Sequence, residues 1–249
     1  MAERGEVEAY LNNLLDVGRF QDYGPNGLQV EGRPLVQKLV SGVTANRALI
    51  EAAIETGADS MLVHHGLFWK GQDGRVTGWL KARLALLLGH GINLWAYHLP
   101  LDAHAEFGNN VQFGARLMLQ PQHNFGPQDL GCIGTPGSPL SVAALTALLQ
   151  SRIGRPPTVV NGDGRPLRRV AWCTGGAQSY FEAAIAAGAD AYITGEISEP
   201  QTHLARETGV AYFACGHHAS ERYGAQALGT HLGARFGIEH HFIDIDNPA

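Results

Sequence analysis

The sequence is poor in charge and in cysteine. Only 16% of its 249 residues are charged and 45% are hydrophobic, while 18 Lys and Arg stand against 23 Asp and Glu, a formal net charge of −5. This balance excludes a disordered chain and argues against a protein that works mainly through phosphate contacts with nucleic acid, although a local basic groove stays open. Three cysteines without any CxxC spacing exclude a disulfide framework and a thiolate zinc site, and they predict a reducing compartment.

Long apolar runs and nucleotide-binding signatures are also missing. The sequence has no apolar run of 18 residues, which excludes a transmembrane helix, and its first residues lack the apolar stretch of a signal peptide. We therefore expect a cytoplasmic protein that does not attach to a membrane. Neither GxGxxG nor GK[ST] occurs, so the common phosphate-binding loops are not encoded.

Glycine, with 32 residues, and histidine, with 12, are abundant instead. Short apolar runs alternate with amphipathic stretches, which predicts an α/β fold with tight joints between strands and helices. The elements predicted in the first half are a helix over 4–16, strands over 38–45, 60–66 and 92–98, and a leucine-rich helix that begins near Leu80 and ends at Gly89.

The second half of the sequence repeats the same order of elements. A loop rich in Pro, Gly and Gln at 120–139 is the predicted boundary between a first lobe, 1–122, and a second lobe, 123–249. Ser141 is the predicted N-cap of the helix that follows, and residues 240–246 alternate in the manner of an edge strand.

An internal repeat relates the two halves. EAAIETGADSMLVHH (51–65) aligns with EAAIAAGADAYITGE (182–196), with identities that include the Gly-Ala-Asp step. We therefore expect two similar α/β lobes from an internal duplication, packed as one compact unit. The repeat also indicates which strand ends are equivalent.

Potential metal ligands stand at these strand ends. The second strand of the first half ends in His64-His65, and the third runs into His98 and Asp102. In the second half the third strand runs into His217 and Glu221. Because ligands of open α/β sheets bind at the carboxyl ends of strands, we expect these side chains to meet in the cleft between the lobes. Imidazoles and carboxylates without thiolate indicate a catalytic rather than a structural site.

The spacing predicts two ions rather than one. Adjacent histidines on a strand point to opposite sides, so His64 and His65 would reach different ions unless the strand has already bent into a loop. Glu221, four residues after His217 on one face of a helical turn, could bridge two ions, and Asp102 would complete the ligands from the other lobe.

Other residues keep two interpretations. His98 is either a ligand, like its counterpart His217, or an acid/base, and Glu196 and His218 are expected to orient ligands. CTGGAQ (173–178) is either a tight turn or an anion contact, with Cys173, Thr174, Gly175 and Gly176 as its first residues. Aromatic residues beside the ligands could stack on a base or fill the core: Phe68, Trp69 and Tyr97. The remaining histidines are expected to be ordinary: His90, His104, His123, His203, His231, His240 and His241.

Several segments resemble the Ngg-interacting factor 3-like family. They are LVHHGLFWKG, NLWAYHLPLDAHAEFGNN, RVAWCTGGAQSYFEAAIAAGADAYITGEISE and ACGHHASER, with NGLQVEG near the start. Bacterial members of this family carry the name GTP cyclohydrolase 1 type 2, and the chain is similar to the short form without an inserted domain. The resemblance implies a two-lobed α/β fold, a toroidal hexamer and a dinuclear metal centre, whose ligands would be His64, His65, Asp102, His217 and Glu221.

The sequence and the resemblance together favour a dinuclear metal-dependent hydrolase for a nucleotide or related heterocycle. His98 or His218 would move protons, and the two divalent ions could be Zn, Fe, Mn or Ni. Two alternatives stay open, a phosphoester hydrolase and a non-enzymatic ring that serves as a metal-binding scaffold for protein or nucleic acid. The net charge does not favour nucleic acid as the partner.

Overall fold

The computed structural model describes residues 1–249, which divide into two units. The first unit comprises Met1–Phe107 and Gly224–Asp246, and the second comprises Gly108–Tyr223 and Asn247–Ala249. These bounds differ from the predicted lobes 1–122 and 123–249, because the chain returns to the first unit after residue 223. Helices and strands are numbered below in chain order.

The first unit is an α/β unit, as predicted for the fold class. Its strands are β1 (Ala2–Glu3), β2 (Gly27–Val30), β3 (Leu35–Val36), β4 (Lys38–Thr44), β5 (Ser60–His65), β6 (Asn93–Ala96) and β13 (Glu239–Phe242). Its helices are α1 (Arg4–Leu14), α2 (Arg47–Glu55), α3 (Gly78–His90), α4 (Leu99–Ala103) and α10 (Arg222–Phe236), which begins in the second unit.

Five strands form the main sheet of the first unit, in the order β13-β4-β5-β6-β2. All neighbours are parallel except β2, which pairs antiparallel with β6. Met61 and Val63 of β5 pack with residues of α2 and α3, whereas Leu62 between them packs with residues of α1 and α10. Helices therefore cover both faces of the sheet, which explains why consecutive apolar residues of its central strands are buried.

The second unit is also an α/β unit. Its strands are β7 (Gln120–Phe125), β8 (Gly131–Thr135), β9 (Thr158–Val160), β10 (Val170–Trp172), β11 (Ala191–Thr194) and β12 (Ala211–Ala214). Its helices are α5 (Asn109–Arg116), α6 (Val142–Ile153), α7 (Phe181–Ala186), α8 (Glu199–Thr208) and α9 (His217–Ser220). The sheet has the order β7-β8-β10-β11-β12-β9, in which only β10, β11 and β12 are parallel.

In each unit a Gly-Ala-Asp step leads from a helix into the middle one of three neighbouring parallel strands, which is β5 between β4 and β6 in the first unit and β11 between β10 and β12 in the second. Asp59 Oδ2 accepts hydrogen bonds from two backbone N–H groups at the start of β4, at 2.9 and 3.1 Å. Asp190 Oδ2 does the same before β10, at 2.9 and 3.0 Å. Gly57 and Gly188 have φ of +69° and +79°, the left-handed conformation that ends α2 and α7. The matching hydrogen bonds agree with the repeat found in the sequence.

Two sequence expectations about elements are corrected, and a third is confirmed and assigned to its sheet. The 120–139 segment is not a boundary loop but contains the hairpin of β7 and β8. Gly89 lies inside α3, which continues to His90, and Gly91 caps it. The strand predicted within 240–246 does lie at a sheet edge, but in the first unit beside β4.

Other expectations are confirmed. Ser141 is the N-cap of α6, where its Oγ accepts a hydrogen bond from the Ala144 N–H at 3.1 Å. All three cysteines are free thiols and are buried. None of the helices combines the length and the hydropathy that a membrane-spanning segment needs.

Candidate metal centre

His64 and His65 are the last two residues of β5, the middle strand of the first unit's sheet. His64 is fully buried, and its Nδ1 lies 3.0 Å from the Tyr97 carbonyl oxygen. A carbonyl can only accept, so Nδ1 carries a proton and Nε2 is the nitrogen that could bind a metal ion. Asp102 Oδ1 lies 3.5 Å from this Nε2. The imidazole is thereby held in an orientation typical of metal-binding histidines.

His65 turns toward the same point. Its Nδ1 lies 3.2 Å from Thr44 Oγ1, and its ring centroid is 4.5 Å from that of His64. One nitrogen each of His64, His65 and His98 lie within 4.8 Å of one another. The sequence predicted that His64 and His65 would reach different ions, but the structure also allows them to bind the same ion. Their ring nitrogens lie far enough from the backbone to approach each other at the end of the strand.

His98 and Asp102 come from the segment after β6. His98 precedes α4, and the Asp102 N–H donates to the His98 carbonyl oxygen at 3.1 Å, so one helical turn separates the two side chains. Asp102 is 8% exposed. His98 Nδ1 donates to Asp22 Oδ1 at 2.7 Å, and burial of Asp22, which alone would raise its pKa, is outweighed by hydrogen bonds from His98 and Asn26 that lower the pKa to about 2.

The second unit brings His217, Glu221 and Glu196 together after β12 and β11. His217 Nδ1 lies 2.7 Å from Glu196 Oε1, and its Nε2 lies 3.1 Å from Glu221 Oε2. Burial disfavours the charged ring, but the hydrogen bonds and charges of Glu221 and then Glu196 raise the pKa of His217 to about 9. Carboxylates at both ring nitrogens therefore favour a positive charge at this position. Either a second proton on the ring or a metal ion between His217 and Glu221, which is only 3% exposed, can supply that charge.

The first residues of the 173–178 segment form a tight turn whose N–H groups bind within the second unit. The N–H groups of Cys173, Thr174 and Gly175 donate to the Ile193 carbonyl oxygen, Asn110 Oδ1 and Ser220 Oγ at 2.9–3.0 Å. These groups are thus already used within the unit. Gly175 has φ of +70°, and a Cβ there would overlap Glu221 Oε1. The turn therefore places the backbone of Gly175 directly against the Glu221 carboxylate.

The aromatic residues have different surroundings. Tyr97 is fully buried in the first unit's core, and its hydroxyl donates to Asn12 Oδ1 at 2.8 Å, so it cannot stack on a base. Phe68 and Trp69 line a pocket with His64 and His98. The Trp69 ring lies edge-on to His98, with centroids 5.1 Å apart and planes at 90°.

The other histidines belong to no group of three potential metal ligands. His218 is buried, and its N–H donates to the Ala249 carbonyl oxygen at 3.2 Å. His203 and His241 pair with the exposed Glu199 and Glu239 at 2.8 and 2.7 Å. The rest are exposed or hydrogen-bonded within the first unit or at the surface of the second: His90, His104, His123, His231 and His240.

Sequence reasoning expected Glu196, which contacts His217, to orient a ligand, but it missed other residues that contact the histidines of the site. Asp22 and Asn26 lie in a segment whose composition indicates only a turn-rich loop, and Thr44 lies where the pattern indicates only the end of a strand. Ser220 holds both Gly175 and, through a 2.8 Å hydrogen bond from its hydroxyl, the His217 carbonyl oxygen. The NGLQVEG segment of the family resemblance begins at Asn26 and was the one signal that pointed to this loop.

The chain is similar to known proteins over almost its whole length. A family model described as Duf34/NIF3 (NGG1p interacting factor 3) matches residues 2–248. A Pseudomonas aeruginosa protein named GTP cyclohydrolase 1 type 2 homolog is 54% identical over 241 residues, which cover 96% of this chain and 95% of that protein. A solved structure described as "protein ybgI, unknown function" has a TM-score of 0.97 and 44% identity, with both chains fully covered. TTHA1606 from Thermus thermophilus has a TM-score of 0.89 and 33% identity, again with full coverage.

The fold and the clustered side chains define an α/β protein with His, Asp and Glu groups that could bind metal. The family model that matches residues 2–248 and the relatives that are about half identical to the chain then identify its family. It belongs to the Duf34/NIF3 family. The family resemblance seen in the sequence is thereby confirmed.

Proposed function

We propose that the protein is a metal-dependent hydrolase that acts on a nucleotide or a related heterocycle. Its ligands for two divalent ions would be His64, His65, Asp102, His217 and Glu221. The observation that carries the proposal is the pairing of imidazole and carboxylate in each unit: His64 Nε2 faces Asp102, and His217 Nε2 faces Glu221. In each pair the other ring nitrogen is bound to a backbone or side-chain oxygen, an arrangement typical of metal-binding histidines.

The donor set fits a divalent transition metal. Neutral imidazoles and carboxylates suit Zn, Fe, Mn or Ni, and a cation would neutralise carboxylates that are almost fully buried. Gly175 supports this fit, because its lack of a side chain leaves room against Glu221. When bound, such ions lower the pKa of a water molecule to about 7 and polarise the substrate bond that the water attacks.

The substrate class follows from the relatives' name and from the pocket beside His98. The Pseudomonas aeruginosa relative is named a GTP cyclohydrolase 1 type 2 homolog, and for such a substrate water would attack the carbon of the purine's imidazole ring. Trp69 and Phe68 line the pocket and would exclude water around a planar base. His98 or His218 would take a proton from the water and return it to the leaving nitrogen.

The proposal extends to the setting in which the protein works. We include a homohexameric ring, which rests on the family resemblance, and a cytoplasmic location, which rests on the three separated cysteines. Light scattering on the purified protein tests the ring: a mass of six chains is expected, and a monomer at micromolar concentration would contradict it.

Metal content and turnover test the function together. The protein, reconstituted with each of Zn, Fe, Mn and Ni, is assayed against GTP, other nucleotides and a panel of phosphoesters, and bound metal is measured by mass spectrometry. We expect His64→Ala to lose bound metal and Glu221→Gln to lose turnover, both while remaining folded. His90→Ala is the matched control, because His90 is an exposed residue at the end of α3.

The outcomes separate the alternatives. Metal-dependent ring opening of GTP or a related compound supports the proposal, whereas cleavage restricted to phosphoesters would assign the protein to that class of hydrolase instead. Full metal content with no turnover on any compound would favour a metal-binding scaffold. Unchanged turnover in Glu221→Gln would refute the role given to this carboxylate.

A further inference from the structure

We infer that Asp22 is a positioning residue that holds His98 as the proton-transfer group of the site, with its Nδ1 protonated and its Nε2 turned to the substrate. This inference rests on the proposed function for its chemistry. Asp22 lies outside the predicted ligands, and 76 residues separate it from His98 in sequence.

The carboxylate of Asp22 is fixed before it meets His98. Its side chain is 4% exposed, and its Oδ1 accepts a hydrogen bond from the Tyr23 N–H at 2.6 Å. Its Oδ2 accepts from Asn26 Nδ2 at 2.8 Å and from the Leu99 N–H at 2.9 Å. A carboxylate with so many donors stays ionised and cannot rotate, so it accepts from His98 Nδ1 in one orientation.

The backbone of His98 is held by the same loop. Asn26 Oδ1 accepts a hydrogen bond from the His98 N–H at 2.7 Å, while the amide group of Asn26 binds Asp22. The 22–26 loop thus fixes His98 at both its backbone and its ring. A fixed ring needs no reorganisation when it takes up a proton, which is the purpose of the buried carboxylate in carboxylate–histidine pairs of hydrolases.

The position of the ring suits a proton carrier. His98 lines the pocket with Trp69 and is partly exposed, with 18% of its side-chain surface accessible, whereas His64 is fully buried. As water adds to the ring carbon, the C–O bond forms, the electron pair of the C=N bond moves to its nitrogen, and Nε2 accepts one proton from that water. As the bond from the same carbon to the other ring nitrogen breaks, the C=N bond re-forms and Nε2 gives the proton to the leaving nitrogen. The second water proton stays on oxygen, the product is the imidic acid tautomer of a formamide, and the imidazole of His98 returns to its neutral form. The ion pair with Asp22 stabilises the imidazolium between these two transfers.

The first test reads the tautomer of His98 in metal-free protein. In ¹⁵N-histidine-labelled, deuterated protein, long-range ¹H–¹⁵N spectra distinguish Nδ1–H from Nε2–H, and the His98→Ala spectrum assigns the signal. We expect the Nδ1–H form in the wild type and a mixture or the opposite form in Asp22→Asn. A wild-type His98 in the Nε2–H form would overturn the inference whatever the activity, since this measurement needs no substrate.

The second test uses kinetics with a matched substitution. We expect Asp22→Asn to lower kcat by about 10²-fold or more with KM changed by less than about threefold, and to leave bound metal unchanged. In His98→Ala, the added Asp22→Asn should cost nothing further, because the two residues act as one. Asp59→Asn is the control, because Asp59 also accepts hydrogen bonds from two backbone N–H groups but has no hydrogen bond to a histidine. Any effect of Asp59→Asn on kcat should therefore add to that of His98→Ala.

The kinetic and metal-binding results distinguish a failure of this inference from a failure of the proposed function. Loss of bound metal in His98→Ala would make His98 a ligand and overturn the inference, as would additive losses in the Asp22→Asn/His98→Ala double variant. A wild type with full metal but no turnover on any compound refutes the proposed function instead, and with it the proton-transfer role. The tautomer measurement would then still decide whether Asp22 positions the ring.

Discussion

Gly175→Ala is the substitution that most directly tests how the second unit builds its half of the site. The added Cβ would overlap Glu221 Oε1 and would lie 2.8 Å from Glu221 Cδ and 3.3 Å from His217 Nε2. Glu221 is 3% exposed, so its carboxylate has no open side to which it can swing. Either the carboxylate must move or the turn must, and Ser220 Oγ holds the turn through the Gly175 N–H.

The magnitude follows from two contributions. Residue 175 has φ of +70°, and a left-handed backbone costs a non-glycine residue about 1–2 kcal/mol. Relief of the overlap in a closely packed region costs a further ~1–3 kcal/mol. The free energy of unfolding should therefore fall by about 2–5 kcal/mol. Because the same overlap displaces a proposed ligand, metal affinity should fall by about 10–100-fold or more.

Gly57→Ala separates the two contributions. Gly57 has nearly the same φ, +69°, but no atom lies within 4 Å of the place that its Cβ would take. This variant should lose only the backbone contribution, about 1–2 kcal/mol, and should bind metal normally. Urea denaturation of metal-free protein measures the stability of both variants, and metal titration followed by mass spectrometry measures binding. Equal losses of stability in the two variants, with full metal content in both, would refute the packing described for Gly175 and Glu221.

Two further predictions concern the fold. Asp59→Ala and Asp190→Ala each remove the acceptor of two backbone N–H groups, so each should lower the free energy of unfolding by about 2–4 kcal/mol in urea denaturation, and a negligible loss in either would contradict the shared role of the Gly-Ala-Asp connection. Burial, with a smaller effect of the charge on His241, lowers the pKa of His240 to about 4, below the 6.5 of an exposed histidine. The unfolded chain then binds more protons between these values, so stability is lost as the pH falls from 6.5 toward 4, by about 2 kcal/mol after allowance for solvent screening. His240→Gln should flatten the stability curve in that range, and an unchanged slope would contradict the assignment.

The order of elements could be predicted because local signals decide it. β5 has a central run of buried apolar residues, Met61 to Val63, and Gly57 of the Gly-Ala-Asp step before it has the positive φ that ends α2. Ser141 caps α6 for the same local reason. The hairpin of β7 and β8 could not be predicted, because five of the six residues of β7 are exposed polar or proline residues without an apolar pattern. Its strand pairing comes from β8, which is buried beside β10.

It was harder to predict which segments belong to which unit, because this depends on strand pairing between segments that are distant in sequence. β13 follows the second unit's elements in sequence, yet it pairs with β4, and its register joins residues 239–242 to residues 38–41. Alternation within 240–246 predicted an edge strand but carried no information about which sheet it borders. Only the apolar residues of α10, such as Leu228 and Leu232, which pack in the first unit's core, explain why the chain returns there.

The candidate site shows the same division between local and distant signals. The repeat located the strand ends and therefore the residue types that stand there, but the two copies diverge where the chemistry begins: His64-His65 in one, Gly195-Glu196 in the other. The state of each imidazole depends on what its Nδ1 contacts, and for His64 that partner is a backbone carbonyl oxygen, which no side-chain pattern can report. For His98 it is a carboxylate 76 residues away, and for His217 it is Glu196, 21 residues away in the preceding strand-end loop. A sequence can therefore nominate ligands by type and spacing, whereas the distinction between a ligand and a proton carrier requires the hydrogen bond on the opposite side of the ring.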